Sequence, residues 1–155
     1  MSNTALNTDV LQLNQDVVAL IHHAKHRAAT AINAELTLLY WHVGQRIRQD
    51  ILGNERADYG KQIIQGLSKV LTAQFGQGWG KTQLNYCVQF ANTFEDIQIV
   101  HALRGQLSWT HFKLLLHIND PIKREFYTTM TIQERWSTRT LDERIGSMLF
   151  ERTAI

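Results

Sequence analysis

Apolar residues recur at Val10, Leu13, Val17, Leu20, Ala24, Ala28 and Ala31, in steps of three and four. That spacing marks one face of a helix and lies close to a heptad period. A second apolar set follows at Leu36, Leu39, Tyr40, Val43, Ile47 and Ile51, and from Asp9 to Leu52 there is no proline and one glycine, Gly44. The pattern predicts one very long helix, or two stacked ones, over residues 1–53. Its narrow first stripe of small and branched residues points to pairing between chains.

Gly53 and Asn54 are expected to stop this arm, and 55–60 to form a polar connection. The remainder, 54–155, reads as a helical bundle. A helix from about Lys61 to Gln74 would bury Ile63, Ile64, Leu67, Val70 and Leu71. Gly76, Gly78 and Gly80 then bracket Trp79, and such glycines permit the left-handed backbone of a tight turn, with the indole as its plug. A second helix, Lys81 to about Phe94, would bury Leu84, Cys87, Val88 and Ala91. Ile97–Leu103 is a short apolar segment, and Ser108 caps a helix through Phe112, Leu114, Leu115 and Leu116. Asp120-Pro121 starts another, to about Met130, because proline fits the first helical position. Ser137 opens the last, Thr138 to about Phe150, with Leu141, Ile145, Met148 and Leu149 inward. The expected class is all-α, a long N-terminal arm plus a compact bundle containing a helix–turn–helix.

Charge changes this picture in one place. The net charge is only +2, but the stretch 59–94 contains Lys61, Lys69 and Lys81 and neither Asp nor Glu. Phosphates repel carboxylates, while Thr, Asn and Gln can hydrogen-bond bases, so the middle of the chain is suited to nucleic acid. Helical geometry puts Thr82, Asn85, Tyr86 and Gln89 along one side. The expected contacts are therefore to phosphate from Lys61, Lys69, Lys81, Arg104 and Lys113, and to the groove from Thr82, Gln83, Asn85, Tyr86 and Gln89. The bland alternative is a helical hairpin whose polar face is merely solvated, in a chain that mediates protein contacts only.

Other chemistry is thinner. Cys87, the single cysteine, excludes an internal disulfide or a cysteine-cluster metal site, and its expected role is packing in a reducing compartment. His22, His23 and His26 lack a third ligand of suitable spacing, so neither a metal nor another cofactor is expected. The spacing Gly80-Lys81-Thr82 lacks the glycine frame of a phosphate-binding loop. Trp41, Trp79, Trp109 and Trp136 read as core anchors. The N-terminus has no basic start or apolar core of a signal peptide, and no apolar run approaches a membrane span, so a cytoplasmic protein is expected. Arg104 and His111 resemble the arginine and histidine of helical HEPN-type RNases, an enzymatic alternative in which His moves a proton and Arg steadies phosphorane charge. The glycine after Arg104 and the expected break before Ser108 weaken it.

Four motifs in order, LYWHVGQRI at 39–47, RADYGKQIIQGLSKVLTAQFGQGW at 56–79, LSWTHFKLLLHINDPIKREFY at 107–127 and RWSTRTLDERI at 135–145, resemble the N-terminal domain of the YhcG family. In these bacterial proteins this helical domain precedes a nuclease domain of the PD-(D/E)XK type. The resemblance, over about residues 12–152, implies a DNA-binding or targeting module whose nuclease partner lies elsewhere. A PD-(D/E)XK centre needs an acid-x-Lys pair on a divalent metal, and no acid here is followed two positions later by Lys. The expectation is a domain fragment or stand-alone version that does not itself cut nucleic acid.

Overall fold

A computed structural model describes residues 3–53 and 58–153. Asn54, residues 55–57 of the expected polar connection, and the last two residues lie outside the described residues. Within them the fold is all-α, with eight helices and no strand: α1 (Asn3–Leu52), α2 (Tyr59–Phe75), α3 (Lys81–Thr93), α4 (Ile97–Leu103), α5 (Trp109–Leu116), α6 (Pro121–Glu134), α7 (Thr138–Gly146) and α8 (Leu149–Thr153).

The long helix is continuous, yet it has two environments. Residues 4–33 are exposed on every face. From Ala34 onward it packs into the body, burying Thr37, Trp41, Gly44 and Ile47. The change from exposed to packed thus falls inside α1, near residue 34. The seam is also rotated from the expected one: Leu36 and Leu39 are exposed, and Thr37 is fully buried. Gly44 explains the rotation. A Cβ built there would lie 1.8 Å from the Cys87 carbonyl oxygen, so α1 and α3 touch backbone to backbone, and Gly44 must face α3. The Thr37 hydroxyl is satisfied within its own helix, donating to the Asn33 carbonyl at 2.8 Å.

Because it packs against α1, α2 and α5, α3 joins two apolar clusters. The smaller holds Ile47, Ile64 and Leu84, with Trp79 packed against it. The larger is built around Trp41, Phe90, Phe112, Tyr127 and Leu141. Phe90 meets the rings of Phe94, Trp109 and Phe112 at centroid separations of 5.6, 5.3 and 4.7 Å. Trp41 is buried and donates from Nε1 to the Phe94 carbonyl at 2.7 Å, while Trp109 and Trp136 pack against the same cluster.

Local signals set most helix ends. Ser108, Asp120 and Ser137 each accept from a backbone N–H of the following first turn, as their positions predict. Gly76 and Gly78 take φ values of 82° and 110°, the left-handed region glycine tolerates. Three expectations are corrected. Val70 is exposed, because α2 is covered only along its Ile64 side. The helix from Pro121 reaches Glu134, ending where Arg135 turns left-handed at φ 52°. Met148, also left-handed at φ 59°, is exposed and splits the expected last helix into α7 and α8.

Candidate nucleic-acid interface

The turn at 76–80 returns the chain so that the starts of α2 and α3 lie together. Lys61 and Gln65 from α2, and Lys81 and Asn85 from α3, rim a cleft of about 460 Å³ floored by Ile51, Ile64 and Val88. A shallower cleft of about 270 Å³ adjoins it through Asn85 and is lined by Thr82, Tyr86, Gln89 and His117. Among the described residues no carboxylate lines either cleft. Lys81 is the first residue of α3, whose N-terminal N–H groups have no side-chain cap, so cationic side chain and helix dipole reinforce each other.

The expected residues divide three ways. Lys61, Lys81, Thr82 and Asn85 are exposed and meet at these clefts. Tyr86 is half-buried, its hydroxyl 2.8 Å from His117 Nε2, and the Lys113 ammonium stands 5.7 Å from its ring centroid. Lys113 thus joins the group through a cation–π contact. Lys69 is exposed two turns along α2 from Lys61, outside both clefts.

Gln83, Gln89 and Arg104 make contacts within the fold. Gln83 Oε1 accepts from Trp109 Nε1 at 3.2 Å, and Gln89 Nε2 donates to the Leu116 carbonyl at 2.8 Å. Both amides fasten α3 to α5 through one polar atom each. The Arg104 guanidinium donates to Glu35 of α1 at 3.2 Å. Exposed salt bridges of this kind contribute little, but this one ties α4 to the base of the arm.

His111 is likewise occupied. Its Nδ1 accepts from the Ser108 backbone N–H at 3.0 Å, and its Nε2 donates to the Trp136 carbonyl at 2.9 Å. The imidazole is the reciprocal half of the α5 capping box. With Arg104 on Glu35 and both nitrogens of His111 engaged, the pair required for RNase chemistry is not presented. Burial pushes the Cys87 thiol up to about 12, far from a reactive thiolate. Among the described residues no three His, Cys, Asp or Glu side chains converge as metal ligands, and no helix is long and apolar enough to cross a membrane.

The family model for the DUF1016 N-terminal domain matches residues 16–152. The chain belongs to this family. The DUF1016 N-terminal domain seen here is also 25% identical, over 174 residues, to a protein of Escherichia coli (strain K12) named "Putative nuclease YhcG". That alignment covers 93% of this chain and 46% of the relative, so the chain spans under half the relative's length. The resemblance to the N-terminal domain of the YhcG family is thereby borne out. No solved structure matches the chain.

In this DUF1016 domain sequence reasoning missed His117 and Gln65. Gln65 is one turn beyond Lys61 and could have been found from i, i+4 spacing. His117 meets Tyr86 from 31 residues away, and no local signal marks it.

Proposed function

We propose that this domain is the DNA-binding, targeting and self-association module of a nuclease-associated protein and performs no catalysis itself. The cutting chemistry would belong to a linked or associated PD-(D/E)XK domain, in the cytoplasm. One observation carries the DNA reading: two lysines from different helices flank Asn85 on a surface whose described lining residues include no carboxylate. The name of the E. coli relative supports it. Lys61, Lys81 and Lys113, extended by Lys69, supply phosphate contacts. Thr82, Asn85 and Tyr86 supply groove contacts. Self-association is supported by the apolar residues left bare on α1, Leu13 and Leu20 among them.

Gel shifts over duplex, single-stranded and branched DNA at two salt concentrations test the DNA reading. A phosphate-driven binder weakens as salt rises. Lys81→Ala should weaken binding to all sequences alike and lower the salt slope by roughly one, whereas Asn85→Ala should cost about 1–3 kcal/mol on a preferred site and little elsewhere. If the triple variant Lys61→Ala, Lys81→Ala, Asn85→Ala keeps its fold and binds every DNA like the parent, the reading is wrong and the protein-contact alternative replaces it. The non-catalytic reading fails if the chain alone cuts DNA or RNA, with or without magnesium, and a clean substitution abolishes the cutting.

A further inference from the structure

We propose that the arm, residues 4–33 of α1, is a dimerisation rod that pairs antiparallel with the arm of a second copy. The proposal rests on the self-association reading above and gives it an orientation. A helix this long whose described side chains are exposed on every face is marginal in water, since most helical stability comes from packing an apolar face. The arm has such a face. In heptad terms Val10 and Val17 occupy one seam position, a, and Leu13 and Leu20 the other, d; all four are exposed.

Valine at a with leucine at d is a two-stranded preference measured in parallel coiled coils, so orientation must come from the remaining side chains. The arm's charges are segregated. Asp9 and Asp16 lie in its first half, and Lys25 and Arg27 in its second. Arg27 also falls at d. A parallel, in-register pair would place Arg27 against its own copy inside the seam and bring acidic half against acidic half. Like charges so placed repel, and burial in the seam deepens the cost.

An antiparallel pair removes both conflicts. With Val17 opposite the second copy's Leu20, heptad arithmetic puts Leu13 against Ala24, Leu6 against Ala31 and Val10 against Arg27. Large residues then face small ones, which lets the two backbones approach closely. Arg27 can lay its aliphatic stem over Val10 and reach the neighbouring Asp9 with its guanidinium. Asp16 comes opposite His23. The fit is reciprocal, as a two-fold interface requires. At 1.5 Å per residue the two bodies would be held about 45 Å apart, on opposite ends of the rod.

Light scattering and disulfide trapping on the full chain test this. The parent should have the mass of a dimer or a larger even assembly at micromolar concentration. The double variant Leu6→Cys, Ala31→Cys should form covalent dimers on mild oxidation, and each single variant few; Cys87 is buried and does not compete. Efficient trapping by either single variant would establish a parallel pair, overturning the orientation while leaving self-association standing. A monomeric parent would overturn both and would mean that something other than a second copy covers the arm. Charge reversal guards against a perturbing cysteine. Asp9→Lys with Asp16→Lys should weaken the dimer about tenfold or more, and adding Lys25→Glu with Arg27→Glu in the same chain should restore it. Reversal of the acids alone with no effect would sink the antiparallel arrangement.

Discussion

The two halves of α1 are one helix with two fates. Both carry apolar residues at helical spacing, yet residues 4–33 are bare and residues 34–52 hold the body together. Mean apolarity does not separate them. The second half has a groove, made where Gly44 lacks a side chain and flanked by the large Trp41, into which the Cys87 segment of α3 descends. In the first half the described side chains stay exposed all round, although His26 shares a cleft with Gln106, Ile132 and Trp136 of the body. Burial follows a complementary surface, and periodicity only says which side will use it.

The sharpest way to break that contrast is to truncate one large apolar side chain in each half's surroundings. Phe90→Ala, at the fully buried centre facing the second half, should cost about 3–5 kcal/mol of unfolding free energy. Leu20→Ala in the arm should move the body's unfolding by less than about 0.5 kcal/mol. Urea denaturation followed by tryptophan fluorescence reads both, since every tryptophan lies in the second half or beyond. An arm substitution that unfolded the body would show that the halves are not independent.

Glycine exchange sharpens the comparison further. Gly44→Ala forces a methyl group onto the Cys87 carbonyl and should destabilise by about 3 kcal/mol, the upper end for overpacking, because backbone cannot rotate away. Gly66→Ala on α2, where an added Cβ meets nothing within 4 Å, should instead stabilise by about 0.5–1 kcal/mol. Equal effects would mean that the α1–α3 contact is looser than described.

A smaller loss is expected where polar groups close the seam. Trp41→Phe keeps most of the ring but leaves the Phe94 carbonyl without its indole donor, for about 1–3 kcal/mol. Arg104→Ala, which removes the tie to Glu35 at the base of the arm, should cost under about 1 kcal/mol.

The smallest effects concern titration. Lys123 holds the Glu151 carboxyl below its ordinary value through a 2.6 Å contact between α6 and α8. A depressed folded-state carboxyl stabilises above its unfolded value and loses that contribution as pH falls through the folded one. Glu151→Gln should therefore flatten the acid limb of the stability profile below about pH 4.3 and, because Glu151 is also what chiefly raises Lys123, weaken the alkaline limb with it. Cys87 should resist alkylation in the native protein at neutral pH and react only on unfolding.

The sequence by itself determined those features governed by neighbours three or four positions away. Ser108, Asp120 and Ser137 cap because the N–H groups they accept from are two or three residues on. Gly76 and Gly78 turn because they lack a Cβ, and the carboxylate-free run from Tyr59 to Phe94 brought Lys61, Lys81 and Asn85 into view before any contact was known. Tertiary structure decided everything that depends on a partner far along the chain. Asn85 and Gln89 are equivalent on a helical wheel, yet Asn85 stays open while Gln89 is claimed by Leu116, 27 residues away. Gln83 is claimed by Trp109 and Arg104 by Glu35 in the same manner. Leu36 and Thr37 differ by one helical step, and the approach of α3 to Gly44 chose the threonine for burial. A side chain's chemistry is written in its own residue type, but its availability is set by whichever distant group reaches it first.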